Sequence, residues 1–425
     1  MPVRQHLGAL GERQFRLLYA GQLVSVLGDG LLGVTLAFAV LGISDSAADL
    51  GLVLAAKSVP MVAFLLVGGV LADRLPRRAV LLGSDLVRAG VQALLAVLLL
   101  TGQAEIWHLV VLQAVYGLAT AAFYPAWTAL MPAVMSPANL QSANGWYAMT
   151  RAAGMVAGPV IAGILLVTVG PGWAIAIDSG TFAVSAFFLA LMRVPPRIPA
   201  PRRSFLVELR EGWTEFARRT WVWATVAASC VASGLFSIYV VLGPLVSARE
   251  LGGPGPWAAM AAASGAGAVF GGAVALRLRV ERPLLVGSVT CLAFSFGPLA
   301  LAADLPVPLL VIASFLAGVG LLIFNTLYET MLQRHIPADR LGRVTSYDWF
   351  GSLAAAPLGY ALAAPLANLV GVSAALWIVG LGALTVLGSI IANPSVRALR
   401  AFPVDADRAG SDSHDPLPAG SVREP

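Results

Sequence analysis

Twelve apolar runs, each close to the length that crosses a bilayer, follow one another along this sequence and constrain its fold more than any other feature. A spanning helix needs about 20 mostly apolar residues. The runs fall at about 17–41, 50–72, 80–100, 107–131, 143–169 and 171–192, then 221–247, 257–276, 283–303, 307–329, 343–367 and 371–393. A soluble helix would carry a charged face, whereas these segments are apolar nearly all round. Charged residues are 12% of the chain, against about 25% in a soluble domain. The expected class is an all-α membrane protein of about twelve transmembrane helices.

The net charge of +5 comes almost wholly from arginine, Lys57 being the one lysine. The arginines gather in alternate loops: Arg74, Arg77 and Arg78; Arg277, Arg279 and Arg282; Arg334, Arg340 and Arg343; and seven from Arg193 to Arg219. The opposite loops carry Asp45, Asp49, Glu105 and Asp304, with Arg249 the basic exception. This is the positive-inside pattern, not the single basic face that a nucleic acid needs, so no nucleic-acid partner is expected. Both termini and the middle loop are expected in the cytoplasm, with the chain in the inner (plasma) membrane and arginines at lipid headgroups. Cys230 and Cys291 lie inside apolar runs and the four histidines are scattered, so neither a metal site nor a cofactor is expected.

The pattern divides the chain at its middle. Residues 1–193 form a first six-helix bundle, 194–220 a cytoplasmic linker, 221–393 a second bundle and 394–425 a polar, disordered tail. In the linker, Phe205, Leu209, Trp213 and Phe216 share one face of a helix suited to the membrane surface. A short repeat relates the halves: Ser136-Pro-Ala-Asn-Leu140 before the fifth run matches Ile336-Pro-Ala-Asp-Arg-Leu341 before the eleventh. Six-helix repeats of this kind build many secondary transporters.

Two segments carry sharper signals. Gly69-Val-Leu-Ala-Asp73-Arg74-Leu-Pro76-Arg77-Arg78 ends the second run. Its glycine permits close helix approach, and its carboxylate suits a neighbouring helix N-terminus. It resembles the Gly-x-x-x-Asp-Arg-x-Gly-Arg-Arg signature of the major facilitator superfamily, with Pro76 in place of the second glycine; the plainer reading is a basic stop signal. The second segment, Arg151-Ala-Ala-Gly154-Met-Val-Ala-Gly158-Pro159-Val-Ile-Ala-Gly163, resembles the Gly-Pro helix-five motif of antiporters in that superfamily, or is small-residue packing alone. Phe15 to Gly30 and Tyr124 to Asn144 are similar to the branch that includes macrolide-efflux and enterobactin-exporter proteins.

The resemblance implies a major facilitator fold of two six-helix bundles that give alternating access to a midplane cavity. It implies that Asp73 docks on the start of helix eleven, supported by Arg77 and Arg78. The acid that often completes this gate at the end of helix four is missing from Phe123 to Met131. Asp85, Arg88, Glu329 and Asp348 are candidate substitutes.

Ionisable residues inside a membrane are expensive and default to functional candidates. Asp29 and Asp178 are expected to line the cavity, one of them carrying the coupling proton, with Lys57 as charge partner. The alternative is a static pair of Lys57 with Asp29 or Asp178. Gln22, Gln113, Tyr116, Asn144, Tyr147 and Arg151 are the other cavity candidates, because they form polar stripes by helical spacing. The expected function is secondary transport, not catalysis: proton-coupled export of a small organic molecule such as a drug or secondary metabolite, by a monomer. Alternatives are a siderophore or metabolite exporter or an importer on the same fold and, from another class, a non-transporting membrane sensor.

Overall fold

The computed structural model of the chain describes residues 8–74, 76–136, 139–194 and 212–400, leaving outside the description the side chains of 65–74, Tyr124, Ala129, Ala338, Asp339 and Arg343. Among the described residues, twelve helices are long and apolar enough to cross a membrane. In the first half they are α1 (Arg13–Ser44), α2 (Ala47–Arg74), α3 (Arg77–Leu100), α4 (Ile106–Val134), α5 (Leu140–Thr168) and α6 (Pro171–Leu191). In the second they are α7 (Thr220–Arg249), α8 (Pro254–Ala275), α9 (Pro283–Ala302), α10 (Val307–His335), α11 (Ala338–Leu353 continuing as Ala356–Val370) and α12 (Val372–Ala392).

The main departure from the expected spans lies at one end. α1, α4, α5, α10 and α11 all run several residues past their apolar runs, α10 through Gln333, Arg334 and His335. Hydropathy marks where lipid ends, but backbone hydrogen bonding carries a helix on into polar residues. These extensions lie at the end that holds α1's start and the middle connection, called here the linker end. Two helices are interrupted at prolines. Pro298 cannot bond back to the Phe294 carbonyl, and α9 tightens into a 3-10 turn at Leu292–Ser295. Pro357 likewise follows the break in α11 at Ala354 and Ala355. Pro159, by contrast, is accommodated inside an uninterrupted α5.

Packing repeats between the halves. α1 lies along α5 and α6, α2 along α4, and α3 along α4 and α6; α7 lies along α11 and α12, α8 along α10, and α9 along α10 and α12. Adding six to each number of the first set yields the second. The seam between halves obeys the same relation, with α5 against α8 and α2 against α11. Apolar burial gives no drive for helix association in lipid, so close packing and polar contacts must supply it. At the seam a Cβ on Gly163 of α5 would come 2.7 Å from the Ala258 Cβ of α8.

Of the expected linker, 195–211 lies outside the described residues, including Phe205 and Leu209 of its apolar face. The helical residues 212–217 follow, with the Trp213 and Phe216 rings 5.6 and 5.9 Å from Tyr347 of α11. That face packs on the second half. The expected tail from 394 begins with α13 (Pro394–Ala398), capped by the Asn393 side chain and holding Val396 fully buried. Residues 401–425 lie outside the described residues.

Candidate functional site

Five charged residues of the first half, Asp29, Lys57, Asp85, Arg88 and Asp178, gather in its interior. Asp85, Arg88 and Gln92 follow the three-and-four spacing of one α3 face, and all three are buried. Arg88 bonds Asp85 directly and lies 3.8 Å from Asp29 of α1. Its guanidinium sits over the Phe123 and Phe182 rings at 4.4 and 4.3 Å, which covers a cation held away from water. Tyr116 of α4 donates to Asp29 at 3.0 Å. Asp178 of α6 accepts from Gln92 at 2.7 Å, and Gln113 donates to Gln92 at 3.3 Å. Lys57 of α2 lies over the Tyr116 ring, 4.8 Å from its centroid.

Lys57 lies within electrostatic reach of both Asp29 and Asp178. Among the described residues no contact within ion-pair distance joins Lys57 to Asp29 or Asp178; the cation beside Asp29 is Arg88. Helical spacing shows which residues share a face of one helix but not which helices are neighbours. Asp85 and Arg88, whose i, i+3 spacing suits a pair with each other or with the gate, do pair with each other and are packed in this interior, at 0% and 2% exposure.

The cluster holds three carboxylates, Asp29, Asp85 and Asp178, against two cations, Lys57 and Arg88. With all five ionised, one negative charge would be in excess. Asp85 is bound by Arg88, and Asp29 is partly open, its side chain 42% exposed. Asp178 is 1% exposed; among the described residues its Oδ2 accepts from the neutral Gln92 amide and its Oδ1 has no hydrogen-bond partner.

A separate cavity of about 830 Å³ lies against the second half. Among the described residues of the first half, Gly30, Gly33, Val34 and Pro159 reach it; α7 to α12 supply the rest. It runs from Tyr239 and Trp257 to Gln333 and Leu341 near the linker end. Asp29 and Asp178 do not line it, nor do Gln22, Gln113, Tyr116, Asn144, Tyr147 or Arg151. Gln22 is instead buried 3.5 Å from Ser185, and Gln113 and Tyr116 belong to the charge cluster. Tyr147 packs on Trp127 with ring centroids 4.5 Å apart, while Asn144 and Arg151 are exposed. Glu329 and Asp348 do line the cavity, Asp348 accepting from the Tyr328 hydroxyl at 2.9 Å. The sequence carried little sign of this chamber, because its wall is serines and isolated aromatic residues spread over six helices. Gln92 was legible, completing a polar stripe with Asp85 and Arg88.

At the end opposite the linker the halves are joined by Arg249, which donates to the Asp45 carboxylate at 3.2 Å and its carbonyl at 2.8 Å. At the linker end the side chains of Gly69, Asp73 and Arg74 lie outside the described residues. Arg77 starts α3. Arg78 donates to the Leu189 and Ala190 carbonyls at 2.8 and 2.5 Å, tying α3 to the last turn of α6. In α5 a Cβ on Gly158 would stand 2.5 Å from the Gly30 backbone, and one on Gly154 would meet Val26 at 2.6 Å, so the motif seats α5 on α1.

The profile of the Major Facilitator Superfamily matches residues 18–352. Multidrug efflux pump Tap of Mycolicibacterium fortuitum is 30% identical, over 84% of this chain and 90% of that protein. Enterobactin exporter EntS of Salmonella typhimurium is 28% identical, over 88% of this chain and 92% of that one. Among solved structures, the nucleoside transporter NupG superposes with a TM-score of 0.71 at 11% identity, over 89% of this chain and 99% of that chain, a likeness of fold. With its twelve apolar helices, the repeated packing of its halves and a family match across most of its length, this chain belongs to the major facilitator superfamily, multi-pass membrane transporters of small molecules.

Proposed function

We propose that the protein is a proton-coupled exporter of a small organic molecule, working by alternating access, with the linker end in the cytoplasm of the inner membrane. The observation that carries this is the charge count of the first half. A buried cluster with one surplus carboxylate is balanced by one proton, and Asp178 is the carboxylate without a cation on it. Asp29, partly exposed and tied to Arg88 and Tyr116, gives that proton a route in and out of the cluster. Burying an uncompensated charge costs several kcal/mol, so loading and unloading the proton can bias one packing of the halves over another.

The cavity reaching the linker end and the Asp45–Arg249 closure at the other end fit an inward-open member of such a cycle. Arginines at the linker end support its cytoplasmic placement. Export is favoured over import because the relatives Tap and EntS are named as an efflux pump and an exporter. The chain is taken to act as a monomer, with Asp73, Arg74, Arg77 and Arg78 gating the linker end.

Everted membrane vesicles test the reading. With the lumen acidified, vesicles containing the protein should accumulate a fluorescent amphipathic dye, and a protonophore should release it. A panel of dyes that all distribute as in vesicles without the protein would overturn the export claim and favour the sensor.

A further inference from the structure

The cavity of the second half is charged on one side of the ledger only. Among the described residues lining it, Glu329 and Asp348 are the charged side chains; no lysine, arginine or histidine contributes. The two acids are not equivalent. Arg151 of α5 lies within electrostatic reach of Glu329, beyond ion-pair distance. Asp348 is half-buried, and the partner it holds is the neutral Tyr328 hydroxyl.

The chamber wall that holds Asp348 is rich in aromatic residues. Phe324 stacks at 5.7 Å on Tyr328, whose hydroxyl bonds Asp348; Phe236 packs on Phe294 at 4.5 Å elsewhere on the wall, and Trp349 also lines the chamber. Ring faces attract cations, more strongly once water is displaced. A chamber of 830 Å³ falls within the roughly 300–1,000 Å³ range of drug-sized ligand sites. Aromatic surface, one carboxylate without a cation and that volume together define a ligand.

We propose that this chamber is a binding site for a lipophilic monocation, an organic molecule carrying one protonated or quaternary nitrogen or its equivalent, with Asp348 as its counter-ion and the surrounding rings as its bed. The inference rests on the transport reading and narrows it: an anionic cargo would meet two carboxylates and, among the described residues, no cation on the wall. The chemistry also separates the halves, with the proton held among Asp29, Arg88 and Asp178 and the cargo charge at Asp348.

The test uses two probes of the same shape and opposite charge, tetraphenylphosphonium and tetraphenylborate, titrated into the full-length protein in detergent by tryptophan fluorescence and calorimetry. The cation should bind and the anion should not. Asp348→Asn should weaken the cation by about tenfold, the size of one charge-assisted contact, and Glu329→Gln by less. The exposed Glu329 serves as the second variant should Asp348→Asn fail to fold, and Asp348→Glu should restore binding. Equal or tighter binding of tetraphenylborate, or unchanged cation affinity in a folded Asp348→Asn variant, would overturn the proposal; should that variant not fold, a loss in Glu329→Gln larger than in Asp348→Glu would do so. Gradient-driven dye uptake in vesicles without tetraphenylphosphonium binding would overturn the cation site alone. Binding without any gradient-driven uptake would overturn the transport reading and leave the site standing.

Discussion

Glu12 and Glu215 occupy matching places in the two halves: each precedes its half's first spanning helix and grips the segment that opens its half's fifth. Glu12 accepts from the Ser136 hydroxyl at 2.6 Å and the Asn139 amide at 2.9 Å, just before α5. Glu215 accepts from Arg340 at 2.6 Å, at the start of α11, and also binds Arg219. The partners differ, neutral in one half and cationic in the other, but the tether is the same. Both tethers lie at the linker end, where α5 and α11 must move if that end opens and closes.

These glutamates carry a pH dependence with a defined sign. At Glu12 burial pushes the carboxyl up, and the hydrogen bonds from Ser136 and Asn139 outweigh it, leaving it below the ordinary value. At Glu215 the hydrogen bonds from Arg219 and Arg340 hold the carboxyl down. A depressed carboxyl stabilises the fold above its unfolded value of about 4.3 and loses that contribution as pH falls through the folded value. Melting temperature should therefore be insensitive to these two groups between about pH 7 and pH 5. Glu215→Gln should lower it there, with the difference from wild type shrinking below about pH 4. A difference that persists unchanged in acid would mean the tether is not ionic.

Arg88 is the hub of the buried charge cluster. Arg88→Met strands Asp29 and Asp85 without a cation, and removing one partner of a buried pair costs about 3–5 kcal/mol. Thermal unfolding in detergent should show that loss, and Arg88→Met combined with Asp85→Asn should recover part of it. Additive effects of the two substitutions would show that they do not act through each other.

The seat of α5 on α1 should reject a side chain where the backbones touch. A Cβ on Gly158 would stand 2.5 Å from the Gly30 Cα, whereas one on Gly145, also in α5, would meet nothing within 4 Å. Gly158→Val should cost at least about 1–3 kcal/mol, the range for overpacking. Gly145→Val, in an exposed position, should cost little beyond its backbone effect. Equal melting temperatures for the two variants would contradict the close approach.

The Asp45–Arg249 pair should matter more for conformation than for stability. Both side chains are about half exposed, and such pairs contribute about 0–1 kcal/mol. That is too little to change folding, yet 1 kcal/mol shifts a two-state equilibrium by about fivefold. In a background with Cys230 and Cys291 replaced, Tyr360→Cys beside Gly51 reports on the closed end. Arg249→Ala should raise its labelling by an impermeant maleimide up to about fivefold at unchanged melting temperature. Unchanged labelling would mean the pair does not hold that end shut.

The fold was legible because lipid imposes a single length scale on every helix, so apolar runs mark the spans directly. What hydropathy could not show is where α10 ends among Gln333, Arg334 and His335, since a helix outlasts its apolar stretch. The first-half cluster was partly legible: Asp29, Lys57 and Asp178 stand out as charges in apolar surroundings, but the choice of Arg88 over Lys57 as the cation beside Asp29 depends on α3 lying between α4 and α6. The cavity was the least legible part. Its chemistry resides in residues such as Tyr239, Trp257 and Ser314, which look like ordinary membrane-helix residues until six helices bring them together. Glu329 and Asp348 read from the sequence as candidate gate support, as acids near helix ends; the structure puts both on the cavity wall.

Substrate-driven proton movement in proteoliposomes is the most direct measurement of the coupling. With a pH-sensitive dye inside and an amphipathic cation added outside, the wild-type protein should exchange cation for protons and shift the internal pH. Asp178→Asn, neutral and of the same shape, should bind the cation but move no protons with it. A wild-type protein that transports the cation with no change in internal pH, or an Asp178→Asn variant that moves protons as the wild type does, would contradict proton coupling through the first-half cluster.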